Sequence, residues 1–296
     1  MTFAELFGAW YAHYVRTVLP ATAINTKKYM QRHVLPHLGH LNVLDIKPKM
    51  VLDTANHISK HSTYFAHRCV ADIARIYDYA IVVLEITDRN PAGRLCRYTM
   101  RHHVVGRQYM PIAQVPAMLQ TIDSTASSYI STKIAFWLIV YTGVRRQEAV
   151  LAKRSEFDFE QRLWTIPTER MKSRREHTVP LSDQVIVMLQ AHFALSKSEW
   201  AFTSISNKDK PISTWSPYYL LEQSGYRKKQ TLHGFRKIFS THAHESGLWT
   251  IDAIELSLAH TVGGVRGIYN HATMMTERVR LMQWWANEVD KWRGIS

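Results

Sequence analysis

The sequence changes character once, at DRNPAGRL (88–95), and this break constrains the fold more than any other feature. Its Asn-Pro pair and the glycine after it end a helical pattern, because proline cannot continue a helix and glycine favours a turn. The residues before the break resemble consecutive helices, whereas helices alternate with short β-prone runs after it. We therefore predict a mainly α protein with a small antiparallel β-sheet. A helical domain over 1–96 and a basic linker over 97–110 precede a second domain over 111–296.

The first domain is predicted to consist of helices. TFAELFGAWYAHYV begins with a threonine suited to cap a helix, and its apolar residues recur at helical spacing. A later segment carries an apolar stripe at the same spacing, formed by Phe65, Cys69, Ile73, Ile76 and Tyr77. Basic side chains lie mostly off this stripe, at His61, His67, Arg68 and Arg75. Such a face suits phosphate binding, although a plain solvated face is the more common meaning of the pattern.

The second domain is predicted to combine helices with one β-hairpin. STKIAFWLIVYTGVRRQEAVLA indicates two helices broken at a Thr-Gly pair, and SDQVIVMLQAHFALS indicates a helix with a Ser-Asp cap. The β-prone runs LWTIP and HTVPL flank ERMKSRRE and so predict a hairpin with a charged tip. Further helices are predicted for LHGFRKIFSTHAHESG, WTIDAIELSLAH and MTERVRLMQWWANEVDKW. In the last of these, Trp284 and Trp285 either pack in their own core or dock on a neighbouring copy.

The net charge of the protein indicates what kind of partner it binds. The chain carries a formal charge of +13 and has a pI near 9.7. Residues 1–104 hold 13 basic and 7 acidic side chains, and the remainder holds 24 and 17. Such an excess makes polyphosphate the first candidate partner. Two basic halves indicate a ligand gripped from two sides, with a merely soluble basic protein as the alternative.

The apolar runs argue against a membrane protein, and the cysteines argue against a disulfide-rich or metal-binding protein. The longest apolar runs, such as IAFWLIVY, are about eight residues long and too short to span a bilayer, and the N-terminus has no signal-peptide pattern. Cys69 and Cys96 show neither metal spacing nor a disulfide framework, which indicates a reducing, cytoplasmic setting. His242 and His244 have no acidic or cysteine partner at ligand spacing, so no metal is expected.

Two places early in the second domain carry side chains suited to a phosphodiester. Arg145 follows a glycine turn at the start of a helix, with Glu148 one turn further on. A helix N-terminus with a guanidinium is a good phosphate seat, although a surface Arg–Glu pair explains the pattern equally simply. Lys172 lies in the charged hairpin tip. A lysine can release a proton where arginine cannot, so Lys172 is the candidate general acid, with a solvated tip as the alternative.

Two further segments carry the remaining side chains suited to a phosphodiester. His233 and Arg236 are three residues apart and hence share one helical face, as suits the binding of an oxyanion. In LAHTVGGVRGIYNHA, His260 precedes Tyr269 by nine positions. A tyrosine hydroxyl is a poor nucleophile at its usual pKa of about 10, and two arginines around it would lower that pKa. Three glycines precede the tyrosine and suit either a hinge or a plain turn: Gly263, Gly264 and Gly267.

Together these elements resemble the tyrosine recombinase (phage integrase) family. The motifs in order are TGxR, a lysine in a hairpin ending in TVPL, HxxR, and LxH with a tyrosine nine residues beyond its histidine. The resemblance covers about 107–285, and the first domain resembles the core-binding domain of that family. LAHTVGGVRGIYNHA is similar to integrases of satellite phages, prophages and genomic islands. No additional arm-binding domain is expected before the core-binding block. By matching position, the six active-site residues are Arg145, Lys172, His233, Arg236, His260 and Tyr269.

The resemblance implies site-specific DNA recombination without metal, nucleotide or other cofactor. Tyr269 would attack the scissile phosphate and form a 3′-phosphotyrosyl linkage with a free 5′-hydroxyl. Arg145 and Arg236 would clamp the non-bridging oxygens. The remaining three would move protons or donate hydrogen bonds: Lys172 at the leaving 5′-oxygen, His233 at the tyrosine and His260 at the phosphate.

The resemblance also implies the assembly. A C-shaped clamp would place the core-binding and catalytic domains around double-stranded DNA at core attachment sites. Four protomers would form the active synapse, with a monomer or dimer free in solution. A directionality factor or DNA-bending protein is a candidate accessory partner, and the expected location is the cytoplasm, at the bacterial nucleoid. Two alternatives are a type IB topoisomerase and a non-catalytic DNA-binding regulator, the second of which gives no reason for the six residues.

Overall fold

Two separate hydrophobic cores divide the chain into two units. The computed structural model describes residues 1–99, 109–126, 129–260 and 273–295. The units are Met1–Val105 and Gly106–Ser296. Helices dominate both, and the second unit adds a small antiparallel sheet. The predicted fold class, mainly α with one small sheet, is confirmed.

The first unit is a helical bundle. Its helices are α1 (Phe3–Tyr14), α2 (Pro20–His33), α3 (Leu35–Leu38), α4 (Pro48–Ser59) and α5 (Thr63–Val82). The predicted threonine cap begins α1: Thr2 Oγ1 accepts from the backbone N–H of Glu5, and the Glu5 carboxylate accepts from the backbone N–H of Thr2 at 2.8 Å. This reciprocal pair satisfies two amides that the first helical turn leaves without partners.

The predicted apolar stripe of α5 packs against α1 and α4. Cys69, Ile73 and Ile76 are fully buried there. Two of the basic residues beside the stripe, Arg68 and Arg75, pair with the buried Asp72 at 3.1 and 3.0 Å. This carboxylate neutralises part of the charge that the sequence pattern made available to phosphate.

The described part of the second unit contains further α-helices. They are α6 (Val115–Ser124), α7 (Ile130–Thr142), α8 (Arg146–Val150), α9 (Asp183–Ala194), α10 (Ser216–Gln223), α11 (Leu232–Ser246), α12 (Ile251–Ser257) and α13 (Met275–Arg293). The predicted break lies between α7 and α8, where Gly143 has φ +64°. Only glycine adopts this conformation without strain, so α7 ends there. Ser182 precedes α9 as predicted, although its hydroxyl makes no capping hydrogen bond.

The sheet lies between α8 and α9. Its strands are β1 (Phe157–Asp158), β2 (Leu163–Ile166) and β3 (His177–Pro180), antiparallel in the order β1-β2-β3. Trp164 lies opposite Val179, and Ile166 opposite His177. The β2–β3 pair confirms the predicted hairpin. Sequence did not indicate β1, because two residues are too few to show a strand pattern.

The last helix, α13, packs within its own unit. It contacts α6, α7, α12 and β3. Trp285 is buried, and its indole N–H donates to the Val140 carbonyl at 2.9 Å. Trp284 is partly buried and stacks on His242 with ring centroids 5.3 Å apart. Of the two alternatives for these tryptophans, the structure supports packing in their own core.

None of the helices in the described ranges is long and apolar enough to cross a membrane. The same ranges bring no three His, Cys, Asp or Glu side chains together as a metal-ligand set.

Candidate active site

Arg145 stands at the start of α8, immediately before its first helical residue. Its Nη1 donates to Glu148 Oε1 at 2.8 Å, and its backbone N–H donates to the other carboxylate oxygen at 2.7 Å. Glu148 is 3% exposed and the Arg145 side chain 28% exposed, so this is not a surface pair. The carboxylate takes one of five guanidinium donors and fixes the direction of the rest.

Arg236 lies on α11 and is only 4% exposed. Its guanidinium donates to the Gly143 carbonyl and, at 2.6 Å, to the Leu258 carbonyl. These acceptors are neutral, so they hold the guanidinium without cancelling its charge. Burial lowers the pKa of Arg236 to about 10, with a further contribution from the positive charge of Arg145. The side chain is therefore still a cation at neutral pH.

His260 follows the end of α12 and contacts both a cation and an anion. Its Nε2 lies 3.1 Å from Arg236 Nη2, and its Nδ1 lies 2.6 Å from Glu255 Oε2. Because arginine can only donate, Nε2 must accept, and the ring proton must lie on Nδ1, facing the carboxylate. Glu255 thus sets the tautomer and the orientation of this imidazole.

Three of the predicted residues line one cavity of about 410 Å³. The side chains that surround it include His233, Arg236, Lys237, Ser240, Leu258 and His260. His233 and Arg236 were predicted to share one helical face, and both reach this cavity from α11. Arg145 lies nearby, because it is two residues from Gly143, whose carbonyl accepts from Arg236.

The two remaining predicted residues are Lys172 and Tyr269. Lys172 is exposed in the turn before β3, and none of the contacts within the described ranges joins it to the cavity. Nearby, Arg170 pairs with Glu156 and donates to the Glu148 carbonyl at 3.0 Å, so the hairpin arm is tied to α8. Tyr269 lies outside the described residues, as do the three glycines that precede it.

Sequence reasoning missed two buried polar residues beside this site, His177 and Arg278. His177 is 7% exposed, and burial lowers its pKa to about 3, with further contributions from the charges of Arg278, Arg236 and Arg145. It is therefore a neutral ring among three guanidinium groups. The available signals were weak: a histidine at an inward position of β3, and an arginine three residues before the buried Leu281 on α13.

Comparisons with known proteins identify the family of this chain. The Phage integrase family matches residues 108–275, and the Phage integrase central domain matches residues 3–97. The chain belongs to the phage integrase family. It is 33% identical over 294 residues to an integrase of Shigella phage Sf6, covering 98% of this chain and 76% of that protein. The prophage integrase IntS of Escherichia coli K12 matches with the same identity and coverage.

Solved integrase structures share the fold at low identity. A lambda integrase dimer bound to a core site superimposes with a TM-score of 0.71 at 16% identity, covering 93% of this chain and 97% of that one. A Tn1549 transposon integrase in complex with transposon right end DNA gives a TM-score of 0.70 at 16% identity, with 95% and 98% covered. At this identity the likeness shows the architecture.

Proposed function

We propose that this integrase is a site-specific recombinase that integrates or excises a mobile element through a 3′-phosphotyrosyl intermediate. Family membership and the phage and prophage relatives support the reaction class. The observation that links the proposal to particular residues is the environment of Arg236. It is a desolvated cation held by the carbonyls of Gly143 and Leu258, beside His260, on the wall of an open cavity. Such a cation suits an anionic phosphodiester.

The two arginines supply the charge that the transition state needs. The negative charge of a pentacovalent phosphorane lies on its non-bridging oxygens, and Arg145 and Arg236 are the groups assigned to them. Fixed donors stabilise such charge strongly because they need no reorganisation, and removing one typically lowers the rate about 10²–10³-fold. Glu148 and the two carbonyls provide that fixation here.

Three side chains are assigned to protons and hydrogen bonds. Lys172 protonates the leaving 5′-oxygen, and His233 assists proton transfer at Tyr269. His260 hydrogen-bonds the phosphate, in an orientation that its Nδ1 contact with Glu255 fixes. Tyr269 then holds the cleaved strand covalently through its 3′-phosphate. The 5′-hydroxyl of the partner strand reverses the step without an external energy source.

The wider assignment follows the same division of the chain. Residues 1–96 are proposed as the core-binding domain, 97–110 as a basic linker and 111–296 as the catalytic domain, with both domains on double-stranded DNA at core attachment sites. A lambda integrase tetramer bound to a Holliday junction shares the fold, which supports a four-protomer synapse formed from free monomers or dimers. A directionality factor or DNA-bending protein assists, and the protein works at the bacterial nucleoid in the cytoplasm.

The test is recombination between two plasmids, one carrying the DNA that flanks the gene and the other carrying the site it recombines with. Exchange of flanking markers in the absence of Mg²⁺ and ATP is expected. Exchange should disappear in Arg145→Ala and in Arg236→Ala. Relaxation of supercoils without exchange would instead indicate a topoisomerase, and full exchange by both variants would refute the assignment.

A further inference from the structure

Arg278 occupies a position that does not suit an arginine. It lies in the first turn of α13, is 5% exposed, and shares its helix face with the fully buried Leu281. A buried cation is costly, and one near a helix N-terminus also opposes the helix dipole. Burial lowers the pKa of Arg278 to about 10. An apolar side chain of similar length would fill the same volume without either cost, so the guanidinium must supply contacts that packing cannot.

Those contacts join three segments that are far apart in the sequence. Nη2 donates to the Thr178 carbonyl of β3 at 2.5 Å, and Nε donates to the hydroxyl of Ser257, the last residue of α12, at 3.3 Å. Nη1 makes a longer contact, 3.5 Å, to the carbonyl of Thr273, just before α13. One planar side chain thus fixes the hairpin, the end of α12 and the start of α13 relative to one another.

The end of α12 carries the phosphate site. Ser257 is followed directly by Leu258, whose carbonyl accepts from Arg236, and then by His260. The ring of His177 on β3 also lies close to the backbone of Ser257. The hydroxyl of Ser257 is therefore bonded to α13, and its backbone lies beside β3. Any displacement of Ser257 moves both the acceptor of Arg236 and the imidazole beside it.

We propose that Arg278 is a positioning residue for the phosphate site. Through Ser257 and β3 it sets where the Leu258 carbonyl and His260 stand, and hence where Arg236 presents its charge. Arg278 itself does not touch the phosphate. The inference rests on the proposed function in one respect, that the ligand at Arg236 is the scissile phosphate of DNA.

Four variants test this. Arg278→Met removes the positive charge and keeps the length of the side chain. Arg278→Lys keeps the charge but lacks the planar guanidinium that contacts several acceptors at once. Ser257→Ala removes one contact with little change in volume, and it serves as the test where Arg278→Met does not fold. The matched control is Arg280→Met, which removes the same charge from an exposed position two residues further along α13. Each is compared with the wild-type chain well below its own unfolding midpoint.

The first readout is the single-turnover rate of covalent adduct formation on nicked DNA. Misplacement of a catalytic group by about 1 Å can cost about 100-fold in rate, which is the loss expected for Arg278→Met. DNA binding should stay within about threefold, because the exposed phosphate contacts remain. A loss of about tenfold is expected for Ser257→Ala and for Arg278→Lys, since each keeps some of the contacts. Arg280→Met should cleave at the wild-type rate.

The second readout separates positioning from general weakening of the fold. A methylphosphonate at the scissile position lacks the charge that Arg236 clamps, so the deficit of Arg278→Met should shrink on that substrate. An equal deficit on both substrates, or wild-type cleavage by a folded Arg278→Met, overturns the proposal.

A third readout does not depend on activity. The ring resonances of His177 and His260 are followed by NMR in the protein without DNA. Both should move in Arg278→Met, and that of His177 should titrate at higher pH because a nearby cation is gone. A folded variant in which neither ring changes overturns the proposal. A wild-type chain that forms no adduct rejects the proposed function, while these resonances still decide whether Arg278 positions the end of α12.

Discussion

Acidification should destabilise the catalytic unit through His177. The ring is neutral in the folded protein, where burial and three nearby guanidinium groups lower its pKa from 6.5 to about 3. In the unfolded chain the same ring binds a proton once the pH falls below 6.5. The contribution of His177 to stability is therefore complete above pH 6.5 and is lost as the pH falls from 6.5 towards 3.

The magnitude follows from that difference in pKa. Between the two values the free energy of unfolding changes by about 1.4 kcal/mol for each pH unit, which gives about 2 kcal/mol between pH 7 and pH 5. We expect the wild-type chain to lose about 2 kcal/mol more than His177→Gln over this interval. The other histidines contribute equally to both proteins and cancel in the comparison.

The assay is urea denaturation followed by tryptophan fluorescence, which reports mainly on the second unit because only Trp10 lies in the first. His244→Gln is the matched control, since it removes an exposed histidine from the same unit. An identical loss of stability in the wild-type chain and His177→Gln would show that the ring is not buried among the arginines.

Three further predictions concern the site and its support. Arg236→Lys should lower the adduct-formation rate about 10²–10³-fold with little change in DNA affinity, because an ammonium cannot reach both carbonyls and the phosphate together. Glu255→Gln should slow the same step about tenfold, since His260 loses the carboxylate that orients it; wild-type rates would contradict this. Gly143→Ala should lower the free energy of unfolding by about 1–3 kcal/mol in urea titrations, more than Gly247→Ala. Both glycines have positive φ, but only the new Cβ at Gly143 meets neighbouring side chains, the nearest at 3.2 Å.

Features encoded by local chemistry were predictable from the sequence. The Thr2 cap, the helix break at Gly143 and the β2–β3 hairpin each depend on residues that are close together in the chain. The pairing of His233 with Arg236 on one face follows from helical spacing alone. The order of the motifs then indicated the family, because few other proteins place these residue types at these separations.

Features decided by tertiary packing were not predictable. The pattern of Arg145 and Glu148 fits a surface pair as well as a buried one, and only the surrounding core buries the carboxylate. Arg68 belongs to a basic face in the sequence, but in the structure it binds the buried Asp72. Arg278 carries no local sign that its guanidinium joins three distant segments, since its partners are two backbone carbonyls and one serine hydroxyl.

The central claim is that Tyr269 attacks DNA at a site organised by these arginines. The most direct measurement uses a nicked suicide substrate that contains the protein's own recombination site, with the adduct resolved by denaturing electrophoresis and its linkage mapped by mass spectrometry. The account predicts a covalent adduct through Tyr269 at a 3′-phosphate, formed without metal or nucleotide and absent in Tyr269→Phe. An adduct of undiminished yield in Tyr269→Phe, or none with the native chain, would contradict it.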